Sequence, residues 1–207
     1  MQIDTSKLSP QESYRLISGI VVPRPIAWIT TQSPEGVVNL APFSCFTFVS
    51  NSPLMLGINI GRKAGIEKDT ARNIRSLSEF VINIADWSMV ELVHASAVEY
   101  ESHESEVEAL GLATKPSNTV RPPRLAMAPI SLECRLHSVT PYGNTGAEFF
   151  VGQVTQAHLS DDLYKDGHID TRSLQPVCRI AGPNYANLGE IRQLIPVAQT
   201  PKTIIEG

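Results

Sequence analysis

The chain has 207 residues, 42% of them hydrophobic and 18% charged, with a formal net charge of -4. That is enough chain for one sizeable core, and the composition argues against disorder. The acidic balance argues against a general nucleic-acid binder, because a phosphate backbone demands a dense basic face, but it leaves room for a local basic pocket around one small phosphate.

Residues 1–7 hold no apolar run of the signal-peptide kind, so no secretory signal is expected. No apolar stretch is long enough to span a bilayer. Residues 25–32 are rich in β-branched and aromatic side chains and read as a strand. Ser33-Pro34-Glu35-Gly36 reads as a turn and residues 37–40 as the returning strand, which makes a hairpin. Ala41-Pro42 is expected to break that run. Residues 43–50 alternate again, Asn51-Ser52-Pro53 turns, and residues 54–60 form a further strand. A short helix is expected over residues 70–77, with Asp69 or Thr70 as its N-cap. Residues 80–84 read as a strand and residues 88–97 as a helix. The acidic stretch within 101–114 reads as a short helix ended by Gly111, and residues 116–123 as loop. Residues 130–140 and 148–159 are strong strands, with Gly152 a bulge or a point of close approach. Many strands with only short helices argue for a barrel that is mainly β rather than a doubly wound sheet. The expected organisation is one domain over residues 1–190 and a C-terminal tail or arm over 191–207.

Cys45, Cys134 and Cys178 are odd in number and widely spaced, with no CxxC pair. Neither a zinc site nor a disulfide framework is expected, and reduced thiols point to the cytoplasm. Chemistry is concentrated in two segments. Residues 61–73 combine Arg62, Lys63 and Lys68 with a helix start at Asp69-Thr70, whose free N–H groups and positive dipole end favour an anion. Asp69 is expected to cap this helix rather than touch the anion, since two anions repel. Taken alone, the segment reads rather as a solvated basic loop before an ordinary capped helix, and GxxxxGK[ST] is absent. In the hairpin, Thr30 and Thr31 offer hydroxyls. Asn39-Leu40-Ala41-Pro42-Phe43-Ser44 leaves a strand through a proline, which frees backbone N–H groups to face a ligand. Alone, that run reads as a barrel corner.

Together these segments resemble a known pattern. Residues 24–31, then 39–44, then Lys68-Asp69-Thr70 with Asn73, then residues 79–84 are similar, in order and spacing, to the signatures of the flavin-reductase-like FMN-binding family. The acidic segment at Ser105-Glu106, Phe150-Val151-Gly152-Gln153-Val154, Asp166-Gly167-His168-Ile169-Asp170 and residues 179–185 resemble its later signatures. The match covers roughly residues 12–190. Three features depart from it: Lys63 stands where a small or hydroxyl residue is common, Tyr100-Glu101-Ser102-His103 replaces a Pro-Gly before the acidic segment, and Ala181 replaces a glycine. The resemblance implies an FMN-binding split β-barrel, usually a homodimer with FMN near the subunit interface. It implies that Thr30, Thr31, Asn39, Ala41, Ser44 and Cys45 lie along the ring and ribityl chain, and that Lys68, Thr70 and Asn73 serve the phosphate, with Arg62 or Lys63 as helpers.

The activity implied is an oxidoreductase that takes electrons from NADH or NADPH through the flavin to an acceptor, which is free flavin, a metal or a partner protein such as a monooxygenase. An FMN carrier without its own nicotinamide site and a non-redox cofactor-binding module are the alternatives. Hydride transfer to a flavin needs no acid–base residue, so no triad is expected. Of the five histidines, His94 and His137 read as packing or surface, His168 as solvated, and His103 as part of a segment over the site. His158 is the candidate to face the flavin ring, with a packing role as its alternative. Tyr185 reads either as a pocket-closing or as a core side chain.

Overall fold

Alternation along the strands decides how this chain curls. The computed structural model describes residues 1–195. Its main sheet is built from β1 (Ala27–Gln32), β2 (Val38–Phe43), β3 (Phe46–Asn51), β4 (Leu54–Ile60), β5 (Glu79–Ile84), β6 (Ile130–Tyr142) and β7 (Ala147–Leu159). The order is β2-β1-β5-β6-β7-β4-β3, antiparallel throughout. The two edge strands, β2 and β3, are neighbours in the chain, separated only by Ser44 and Cys45. That short connection makes the sheet curl until its edges approach one corner, where the Asn59 N–H of β4 donates to the Cys45 carbonyl at 2.8 Å. The result is a split β-barrel.

Ala27 and Ile29 of β1 point inward, into a core with Phe43, Ile58, Phe80, Ile82, Cys134 and Phe150. Trp28, between them, points outward into a second cluster with Leu40, Met89, Val93 and Val107. Both faces of β1 are therefore buried, and side chains of this size contribute roughly 1.5–3 kcal/mol each on burial. Gly152 sits at a register shift between β7 and β6. A Cβ there would stand 2.3 Å from Cζ of the fully buried Phe80, so close approach requires glycine.

Among the described residues the helices are α1 (Pro10–Ile20), α2 (Asp69–Leu77), α3 (Val90–Ala95), α4 (Glu106–Ala109) and α5 (Thr171–Leu174), and α2 and α4 pack on the β1–β2 hairpin. The expected helix over residues 88–97 is a 3-10 turn, Trp87–Met89, running into α3. The expected break at Ala41-Pro42 is corrected: β2 runs through both residues to Phe43. Because β2 is an edge strand, the N–H that proline lacks can be one that would face outward, so pairing with β1 survives. Helix α1 escaped the sequence reading altogether. Its signal was a capping box, in which the Ser9 side chain accepts from the Glu12 N–H and the Glu12 carboxylate accepts from the Ser9 N–H. None of its residues is buried, and Tyr14, Ile17 and Ile20 are exposed.

Polar groups fasten the segment between residues 115 and 125 over the outer face of the sheet. The Thr30 hydroxyl donates to the Pro123 carbonyl at 2.6 Å, and Asn83 Oδ1 accepts from the Leu125 N–H at 3.1 Å. Glu133, with no exposure, accepts from the N–H groups of Asn118 and Thr119, the Thr119 hydroxyl and the His158 ring. No described helix is long and apolar enough to cross a membrane. Most of the expected C-terminal arm, residues 196–207, lies outside the described residues.

Candidate functional site

A cleft of about 410 Å³ opens where β2, the loop before α2, the start of α2 and residues 96–102 converge. Its size falls in the range of small-ligand sites. Two rungs of hydrogen bonds explain why α2 starts here. Thr31 and Asn39 are cross-strand partners in the β1–β2 hairpin. Thr70 and Asn73 lie three residues apart on α2, and so on one face. Asn39 Nδ2 donates to Thr70 Oγ1 at 3.0 Å, and Asn73 Nδ2 donates to Thr31 Oγ1 at 3.1 Å. All four side chains are buried, so the helix start is held rigidly against the hairpin.

That start is not capped as the sequence reading expected. The N-cap is Lys68, whose side chain makes no capping bond, and Asp69 is the first helical residue. The Asp69 carboxylate is drawn sideways, to Arg72 and to the Ser102 hydroxyl. Arg72 N–H closes on the Lys68 carbonyl. Among the described residues, the N–H groups of Asp69, Thr70 and Ala71 make no hydrogen bond. Lys68 lies beside them, its Nζ 5.3 Å from the centroid of the Phe43 ring. Crowding by protein atoms, and then the charge of Lys63, hold its ammonium below the ordinary lysine range, with Glu99 opposing.

The far wall comes from residues 96–102, none of which the sequence singled out as binding residues. Trp28 Nε1 donates to Ser96 Oγ at 2.8 Å and anchors the beginning of that wall to β1. Below it, Ser105 caps α4 and donates its hydroxyl to the Val38 carbonyl at 2.6 Å. Glu106 accepts from the Leu40 N–H at 2.8 Å, meeting an outward-facing donor of edge strand β2. Burial raises the Glu106 pKa above its ordinary value, and the Leu40 N–H acts against that rise. The acidic segment legible in the sequence thus holds the backbone of edge strand β2, with Glu106 also lining the cleft.

Of the residues singled out by sequence, Asn39, Ala41, Lys63, Lys68 and Thr70 line the cleft. Thr31 and Asn73 stand behind it as the second rung, and Thr30 is turned to the outer face. Ser44 and Cys45 occupy the corner beyond Pro42, with the Arg24 guanidinium reaching Ser44 Oγ at 3.4 Å and the Cys45 thiol exposed. Arg62 donates to the Gly65 carbonyl and packs its stem where a Cβ on Gly146 would fall. His158 is not among the lining residues. Its Nε2 lies 2.6 Å from Oε1 of Glu133 on the outer face. Tyr185 packs against the outer cluster, its hydroxyl between His94 and Arg179.

The sequence pattern of the flavin reductase like domain matches residues 19–173. A protein of Halalkalibacterium halodurans is 45% identical over 195 residues, covering 92% of this chain and 93% of its own. The nitrilotriacetate monooxygenase component B of Bacillus cereus superposes with a TM-score of 0.91 at 35% identity, over 94% of this chain and 98% of that one. The 2-nitrobenzoate 2-nitroreductase of Pseudomonas fluorescens does so with a TM-score of 0.83 at 30% identity, over 98% and 100%. Pattern, relatives and fold agree, and the chain belongs to the flavin reductase-like domain family.

Proposed function

We propose that the cleft holds FMN and that the protein is an oxidoreductase passing electrons from NADH or NADPH to an acceptor. The observation that carries this reading is the start of α2: N–H groups free of side-chain caps, at the positive end of a nine-residue helix, next to the Lys68 ammonium. Such a combination attracts a phosphate monoester. On this reading Lys68, Thr70 and the helix N-terminus take the phosphate, with Lys63 and Arg62 assisting. Asn39 and Ala41 flank the ribityl chain, and Ser44 and Cys45 lie toward the ring. Thr30, Thr31 and Asn73 keep that wall in place. When bound, the flavin would supply the hydride-accepting redox chemistry. The chain supplies binding, orientation and shielding from water.

The relatives bear on the choice of acceptor. One similar protein is a monooxygenase component and another a nitroreductase, which supports free reduced flavin, a partner monooxygenase or a nitroaromatic compound as the outlet. A homodimer fits the exposed apolar residues of α1 and Phe48, which is 77% exposed on edge strand β3. We place the protein in the cytoplasm, with three free thiols as support.

Stopped-flow mixing of the FMN-loaded protein with NADH and with NADPH tests the activity. Rapid bleaching of flavin absorbance with at least one donor is expected. Stable colour with both would leave an electron carrier that is reduced by another protein. A purified chain that takes up no FMN at all would leave a non-redox module.

A further inference from the structure

Two contacts fasten residues 98–102 across the basic end of the cleft. Glu99 Oε2 lies 2.6 Å from Lys63 Nζ. Ser102 Oγ donates to Asp69 Oδ1 at 3.0 Å and receives from Arg72 at 3.1 Å. Three cations line this cleft, Lys63, Lys68 and Arg72. Lys63 and Arg72 are each paired with a carboxylate, whereas Lys68 forms no ion pair among the described residues.

The two pairs differ in character. Asp69 and Arg72 lie one helical turn apart and pair within α2. Lys63 and Glu99 belong to separate loops, 36 residues apart, so their pairing is what joins the far wall to the loop before α2. Their side chains are 59% and 70% exposed, the regime in which an ion pair is weak, screened by salt and readily exchanged. A phosphate monoester carries up to two negative charges and three acceptor oxygens, so it outcompetes one carboxylate for a lysine while being repelled by that carboxylate. The opposed influences of Lys63 and Glu99 on the Lys68 ammonium put all three groups within electrostatic reach of one another.

Resting on the reading that this cleft takes the flavin phosphate, we infer that Glu99 is a displaceable latch that competes with the phosphate for Lys63. Glu99 weakens the hold on a phosphorylated flavin without touching the ring, and it draws residues 98–102 back across the cleft when the phosphate leaves. A site built this way exchanges its flavin rather than keeping it as a permanent group. Such exchange suits a protein whose reduced flavin travels to another.

The test uses the full chain and follows binding of FMN and of riboflavin by fluorescence, at equilibrium and by stopped flow. Glu99→Gln is expected to tighten FMN binding roughly threefold to tenfold, mainly through slower dissociation, and to leave riboflavin unchanged. Lys63→Ala is expected to weaken FMN more in the Glu99→Gln background than alone, because only there is the lysine fully available. Unchanged FMN dissociation in Glu99→Gln, or equal changes for both flavins, overturns the latch. If the unmodified protein itself binds FMN and riboflavin equally, the phosphate site fails and the latch with it. If FMN is preferred and Glu99→Gln is silent, the latch alone is refuted.

Discussion

Replacing Glu133 by glutamine probes the polar fastening on the outer face of the sheet. The carboxylate has no exposure and accepts four hydrogen bonds, three of them between 2.6 and 2.7 Å from the Asn118 and Thr119 loop and one from His158. Burial alone would raise its pKa. The Thr119 hydroxyl, the Asn118 N–H, the His158 ring and the Thr119 N–H outweigh burial and hold it at about 2, below an ordinary 4.5. Each unit corresponds to about 1.4 kcal/mol, so the ionised group contributes about 3 kcal/mol at neutral pH. A glutamine keeps the shape but turns an N–H₂ toward donors, leaving buried groups unpaired. Because the folded value lies below the unfolded one, this contribution is complete above pH 4.5 and is lost as pH falls toward 2. Urea unfolding of the two proteins is expected to show a deficit of about 3 kcal/mol at pH 7, shrinking to about 1 kcal/mol at pH 3. A deficit below about 1 kcal/mol at pH 7, or one that does not change with pH, refutes the assignment of these bonds to an ionised Glu133.

Two further outcomes follow from packing. Gly152→Ala places a methyl group against Phe80, and urea unfolding is expected to show a loss of about 2 kcal/mol, the usual scale of overpacking. An unchanged midpoint would show that β7 shifts without strain. If the proposed homodimer forms through edge strand β3, Phe48→Glu is expected to leave a monomer by light scattering while the unfolding midpoint of the monomer stays put, because Phe48 is 77% exposed within its own chain. A dimer that survives the charge would place the interface elsewhere.

Much of the barrel was legible because its signals are local. The turn at Ser33-Pro34-Glu35-Gly36, the alternation of β6 and β7, and the tight spot at Gly152 each announce themselves within a few residues. Pro42 was misread because a proline ends a central strand but is tolerated on an edge, and which strand lies at the edge is decided by pairing of β1 with β5 far along the chain. The α2 cap was misread for a similar reason. Asp69 is a good capping residue in isolation, yet Ser102, 33 residues away, and Arg72 claim its carboxylate. Thr30 and Thr31 are adjacent and read as one pair of hydroxyls. The strand pleat sends them to opposite faces, one to Pro123 and the other to Asn73. The wall formed by residues 96–102 left no motif, since its placement rests on Trp28 reaching Ser96 and on Glu106 reaching Leu40.

The central claim is that the start of α2 and Lys68 bind the phosphate of a flavin. Titrating the purified chain and Lys68→Ala with FMN and with riboflavin tests it most directly. The account predicts that FMN binds the unmodified chain at least about tenfold more tightly than riboflavin, in line with a charge-assisted contact of roughly 1.5–3 kcal/mol. It predicts that Lys68→Ala removes most of this preference while riboflavin binding holds. Equal affinity for the two flavins, or a Lys68→Ala variant that keeps the full preference for FMN, would contradict it.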